Sequence, residues 1–165
     1  GRLFASGMRR SREWGIAVHA CFETIEWMDA ATAERLAVRT GDPAAAHVAA
    51  CLKDPEIAAL FQRPDEPCDV WREQSFEILL EGEWISGVFD RVAIRRDASG
   101  RAIQADIIDF KTNRIDGEER IRELTDHYRS QLESYRAVLA RLLHVPAESI
   151  RMILVFTEAS RVVVL

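Results

Sequence analysis

Ile107-Ile108-Asp109-Phe110-Lys111-Thr112 decides how this chain is read. The run is apolar enough for a strand, yet it carries an acid and, two residues on, a base, where a half-buried strand normally keeps charge off its inner face. Side chains alternate along an extended backbone, so Ile107, Asp109 and Lys111 share one face while Ile108 and Phe110 share the other. Acid and amine then stand roughly 6 to 7 Å apart, near enough to serve one ligand. A surface ion pair at a strand end gives the same pattern and contributes little, so the surrounding sequence has to choose.

Downstream, residues 113–117 lead into a helix predicted over 118–143, on which Tyr128, Gln131 and Tyr135 form one stripe with Leu124, Leu132, Val138 and Leu139 beside it. Such a stripe serves either as a core edge with satisfied polar tips or as a binding face. Pro146 closes the helix, and 151–157 and 161–165 read as two final strands.

Upstream, a hairpin-like connection at 96–100 joins the strand predicted at 103–111 to a β-like stretch from about 70 to 94, with Gly82 marking a turn between two runs. In the second run Trp84, Ser86, Val88, Asp90, Val92 and Ile94 are expected on one face, which makes Asp90 an acid in a largely apolar row. Arg91 and Arg95 are awkward partners for it, because neighbours in a strand point to opposite faces. The cluster Arg63-Pro64-Asp65-Glu66-Pro67 separates this β region from a helical one spanning 13–62. There, Asp42-Pro43 and Asp54-Pro55 repeat one start signal, a capping acid before a first-turn proline, for helices at about 43–53 and 55–62. Trp14, Ala17, Val18, Cys21, Phe22, Ile25 and Met28 recur at helical spacing and predict an amphipathic helix over 13–29, with Gly15 stacked one turn from His19. Glycine within a helix costs about 1 kcal/mol against alanine, which suggests that something approaches the backbone beside His19. Residues 1–12, with Arg2, Arg9, Arg10 and Arg12, read as a basic linker, and the lone His47 reads as packing or surface.

This order of helices, three strands, a long helix and two strands predicts an α/β (α+β) fold, a mixed sheet flanked by helices in a single domain over 1–165. Three separate elements then contribute unusual polar groups: His19, Asp90, and Asp109 with Lys111. One imidazole and two carboxylates suit a divalent cation with positions left open for water and a phosphate. A lysine beside them can position a water and offset charge in a transition state.

Composition narrows the classes further. The 22 basic and 27 acidic residues give a net charge of −5, which argues against a passive polyanion binder held by bulk charge but not against an enzyme that meets phosphate through a bound cation. Cys21, Cys51 and Cys68 are widely spaced and suggest neither a disulfide framework nor a zinc or iron–sulfur site. No apolar run nears the roughly 18 residues of a membrane span and no leader-like start is present, so a soluble, cytoplasmic protein is expected. A chain that begins at Gly1 and closes on a strand-like run is expected to be excised from a longer polypeptide.

Gly15-x-x-x-His19, Gly87-Val88-Phe89-Asp90-Arg91, Asp109-Phe110-Lys111-Thr112 and Gln131-Leu132-Glu133-Ser134-Tyr135, in this order, resemble the RecB-like branch of the PD-(D/E)XK nuclease superfamily, and within it the nuclease domain at the C-terminal end of AddA-type helicase–nuclease subunits. The resemblance covers about residues 13 to 136. It implies a restriction-endonuclease-like core and a metal-dependent exodeoxyribonuclease acting on broken DNA ends in recombination and repair. It also implies His19, Asp90, Asp109 and the Phe110 carbonyl as ligands of Mg2+ or Mn2+, and Lys111 as the catalytic lysine. Gln131, Tyr135 and Tyr128 would line the DNA-facing side, Thr112 and Arg91 would support the site or contact the backbone, and Glu73 matches a glutamate on the preceding strand. The implied partners are DNA, the helicase portion of the same chain and a second helicase–nuclease subunit. The iron–sulfur cysteines of some relatives are missing here, so no cluster is expected, and no Gly-rich phosphate loop offers a nucleotide site. The rival expectation is a catalytically idle, DNA-end-binding copy of the fold, against which stand the intact His19, Asp90, Asp109 and Lys111.

Overall fold

Five strands form one sheet in the order β1-β2-β3-β4-β5: β1 (Cys68–Leu80), β2 (Glu83–Arg96), β3 (Ala102–Lys111), β4 (Ile150–Phe156) and β5 (Arg161–Val164). This computed structural model describes residues 2–39 and 41–165, with side chains from Phe4 onward, so Gly1 and the Arg2 side chain of the expected linker lie outside the described residues. The first three strands are antiparallel neighbours, β3 and β4 run parallel, and β5 returns antiparallel to β4. A parallel pair needs a long crossover, and the 26-residue helix Glu118–Leu143 supplies it, over the span that its periodicity predicts. The sheet is therefore mixed, with helices packed on it, as expected.

Helices cover both faces. On one side α1 (Arg2–Glu23), α2 (Ala30–Val38), α3 (Pro43–Cys51) and α4 (Pro55–Ala59) bury Val18, Phe22, Leu36, Val48 and Ile57 against Ile108, Phe110, Ile153 and Val155. On the other, the crossover helix, α5, buries Leu124, Leu132, Val138 and Leu139 against Ile107, Met152, Leu154 and Phe156. The split of β3 into Ile108 with Phe110 and Ile107 with Asp109 follows the alternation read from its sequence. Asp42 and Asp54 cap α3 and α4 as predicted, each accepting two backbone N–H bonds ahead of a first-turn proline. The two-residue turn at Glu81-Gly82 has positive φ at both positions, +51° and +82°, the twist that joins antiparallel strands tightly.

Three expectations need correction. Residues 2–12 are the opening turns of α1, not a linker. Arg, Leu, Ala and Met are good helix formers, and a solvated stretch needs no apolar face to be helical. At its other end α1 stops at Glu23, short of Asp29. The Arg91 guanidinium takes the carbonyls of Ile25 and Glu26 at 2.7 and 2.5 Å, and Asp29 caps α2 in a reciprocal pair with Thr32. Tertiary and capping bonds replace the helical ones.

The third correction concerns β2. Val92 and Ile94 pack toward α5 together with Phe89, whereas Trp84 and Val88 are exposed, so the row from 84 to 94 does not share one face. Strict alternation breaks between Phe89 and Val92, where Glu73 on the paired strand takes φ +45°. The β2–β3 ladder also ends here, its last pair being Arg91 with Ile108. One residue further, the Asp90 carboxylate accepts the Phe110 N–H at 2.9 Å in place of a ladder carbonyl. The two strands part at this point, and the cleft opens there.

Candidate active site

A cleft of about 820 Å³ is walled by α1, the ends of β2 and β3, the segment after β3, and α5. His19, Asp90, Asp109, Phe110, Lys111, Thr112, Tyr128, Gln131 and Tyr135 all line it. Two expected residues are placed elsewhere. Arg91 turns to the opposite face and is fully buried between the Trp27 and Phe61 rings, with its charge spent on the Ile25 and Glu26 carbonyls. Burial, and next the nearby Arg72, lower its pKa to about 10. What it holds is the connection between α1 and α2. Glu73 does not line the cleft, yet it lies near enough for Asp90 to act on it: burial first, and then the Asp90 charge, raise its pKa.

His19 is oriented from behind. Its Nδ1 lies 2.8 Å from the Gly15 carbonyl, which only accepts, so Nδ1–H is the donor. Nε2 then faces Asp90 Oδ2 at 3.1 Å. In a neutral imidazole with this tautomer, Nε2 carries a lone pair, and two acceptors would confront one another. A proton or a cation must stand between them. Burial works against the charged ring, but the hydrogen bond and charge of Asp90, the Gly15 carbonyl and Asp109 together push the His19 pKa up to about 9. Gly15 answers a second need: a Cβ there would meet Thr112 Oγ1 at 3.0 Å. That is the close approach beside His19 that its glycine implied.

Asp109 and Lys111 do share a face and pair at 3.0 Å, with both side chains largely buried. Burial, then the Asp90 charge, raise the Asp109 pKa against the pull of Lys111. Asp90 thus lies close enough for its charge to bear on Asp109. Lys111 is fixed from the α5 side, with Nζ 3.4 Å from Gln131 Oε1 and 4.0 Å from the centre of the Tyr128 ring, while Tyr128 Oη donates to Asn113 Oδ1 at 3.1 Å. Tyr135 meets Phe76 and Phe89 edge-on, and its hydroxyl lies over Gly87, where a Cβ would come within 2.5 Å. The stripe on α5 is therefore partly core and partly site.

A divalent cation suits this donor set. The imidazole has its far nitrogen tied to a backbone carbonyl, as metal-binding histidines commonly do, and the two carboxylates supply the oxygen donors that a hard cation takes. As they stand, Asp90 is turned onto His19 and Asp109 onto Lys111, and among the described residues no three His, Cys, Asp or Glu side chains are gathered on one point.

Ser11, Arg12, Trp14, Val88, Asn113, Arg114 and Glu158 also line the cleft and were not singled out by sequence reasoning. Arg12 stands seven residues before His19, and Arg114 three after Lys111, so helical spacing and adjacency were the available signals. Glu158 arrives from after β4, where it accepts from Trp14 Nε1 at 2.9 Å, and only the fold brings it here. No helix among the described residues is long and apolar enough to cross a membrane.

Comparison with known proteins agrees with the fold. A 65-residue segment, 38% of the chain, is 45% identical to an ATP-dependent helicase/nuclease subunit of Limosilactobacillus fermentum, of which it covers 5%. The chain thus spans a small fraction of that relative's length. Residues 4–163, nearly the whole chain, match the PD-(D/E)XK nuclease superfamily. With the mixed sheet, the parted strands and the Asp-x-Lys end of β3 already in view, the chain belongs to the PD-(D/E)XK nuclease superfamily.

Proposed function

We propose that this domain hydrolyses DNA phosphodiester bonds with Mg2+ or Mn2+, as the exonuclease part of a helicase–nuclease that processes broken DNA ends in recombination and repair. The observation that supports this most is the convergence of His19, Asp90, Asp109 and Lys111, from three separate elements, in one open cleft. Family membership and the partial likeness to a helicase/nuclease subunit support the context.

In this reading His19, Asp90, Asp109 and the Phe110 carbonyl hold the cation. Bound there, it supplies positive charge against the phosphate oxygens and favours the ionised form of an attacking water. The protein's own groups do the rest. Lys111 Nζ, held by Asp109, Gln131 and the Tyr128 ring, presents N–H donors toward the scissile phosphate and orients the water. Asp90 uses one oxygen to hold the Phe110 backbone, which keeps the strand end in place while the carboxylate serves the site. Gln131 and Tyr135 face the DNA from α5. The helicase portion of the same polypeptide, and a second subunit, would deliver the strand.

The 165-residue chain should cut linear single- or double-stranded DNA with Mg2+ or Mn2+ and not with chelator. Absence of metal-dependent cutting at high protein concentration, or unchanged cutting by Asp109→Ala and Lys111→Ala, overturns the assignment.

A further inference from the structure

The chain carries a net charge of −5, and its cleft holds Asp90 and Asp109, so a polyanion entering it meets repulsion unless local cations offset this. Most of the lining charges are already engaged. Lys111 is paired with Asp109, His19 with Asp90, and Glu158 takes the Trp14 N–H and lies 3.9 Å from His47. Arg12 and Arg114 are the exceptions: both line the cleft, both are exposed, and among the described residues neither has an acid partner. Some arginines elsewhere on this surface find acids, as Arg96 does with Asp69, Arg151 with Asp106 and Arg161 with Glu118, so what sets Arg12 and Arg114 apart is that they stand free at the cleft.

Their placement is also ordered. Arg9, Arg12, Ile16 and His19 are spaced by three, four and three on α1, one stripe of the helix. At 1.5 Å rise per residue, Arg12 lies about 10 Å and Arg9 about 15 Å along the axis from His19. Arg114 leaves the other wall three residues after Lys111, beyond the point where Thr112 packs on Gly15. We propose that Arg12 and Arg114 grip the phosphodiester backbone of a nucleic-acid strand entering the cleft, and that Arg9 extends this hold along α1. The guanidinium fork matches phosphate oxygens two at a time. The proposal takes the identity of its ligand from the nuclease reading but does not depend on bond cleavage.

The test is binding of a fluorescent oligothymidylate, followed by anisotropy in chelator between about 50 and 200 mM salt. Arg12→Ala/Arg114→Ala should weaken binding about ten- to a hundred-fold at the lowest salt and flatten the slope of log Kd against log salt by about 0.7 per arginine removed. Arg9→Ala should flatten it by a similar or smaller amount, and Arg→Lys replacements should keep most of the slope. Arg101→Ala, an exposed arginine in the distant β2–β3 turn, should leave affinity and slope unchanged. A double variant with wild-type affinity and slope, or an equal loss in Arg101→Ala, overturns the proposal. If the wild-type chain cuts DNA and the double variant binds like it, the grip fails and the nuclease reading stands. If the wild-type chain cuts nothing yet shows the arginine-dependent slope, the grip stands and the nuclease reading fails.

Discussion

Strand β3 carries two acids, each paired with a base, one at mid-strand and one near its end, and the two pairs differ in kind. Asp106 meets Arg151 of β4 through two bonds of 2.8 Å at the surface, side by side in the parallel register, and each group leaves the other satisfied. Asp109 meets Lys111 on its own strand, buried, with a second carboxylate, Asp90, close enough to raise its pKa. The first pair is complete. The second has a further carboxylate and an imidazole beside it in an open cleft, and that cluster of donors suits a cation where the Asp106 pair does not. Sequence alone offers Asp-x-Lys as an ordinary ion pair; Asp106–Arg151 shows what an ordinary one looks like in this molecule.

The sharpest way to break this contrast is to remove each pair in turn. Asp109→Ala and Lys111→Ala should each lower metal-dependent DNA cleavage by about 10²- to 10³-fold or more. Asp106→Ala and Arg151→Ala should leave it within about two-fold and cost no more than about 1 kcal/mol of stability. Single-turnover cleavage and urea unfolding on the four variants measure both quantities. Equal losses from both pairs would erase the distinction.

Arg91 sharpens the comparison from the opposite side, as a buried charge whose role is structural. Arg91→Ala leaves the Ile25 and Glu26 carbonyls without their donors and should cost about 3 kcal/mol or more, read as a lower urea midpoint. Stability loss should precede any loss of activity per folded molecule.

The smallest effect belongs to the capping acids, which are satisfied carboxylates like Asp106. Backbone N–H donors, first of all Thr32 and Ala45, hold the Asp29 and Asp42 pKa values below the usual carboxylate range. A carboxyl depressed in the folded state stabilises above its unfolded pKa of about 3.9, and that contribution fades as pH falls through the folded value. Asp29→Asn/Asp42→Asn keeps the caps but removes this dependence. Its acid-unfolding curve should be slightly less steep below about pH 4 than that of the wild type. A steeper curve would contradict the assignment.

Much of this protein was legible in one dimension. Period-2 alternation placed Asp109 and Lys111 on one face of β3, helical periodicity set the span of α5, and Asp-Pro pairs located α3 and α4, because these patterns depend on neighbours within a few residues. The ordered motifs named His19, Asp90, Asp109 and Lys111 before any distance was known. Tertiary structure decided what depends on distant partners. It ended α1 at Glu23, because Arg91 claims the carbonyls beyond it, and it reversed the alternation of β2 beside Glu73. It sent Arg91 away from the cleft and brought Glu158 into it. Above all, it set Asp90 and His19 beside Asp109, and only that proximity, across two parting strands, sets this Asp-x-Lys apart from an ordinary ion pair.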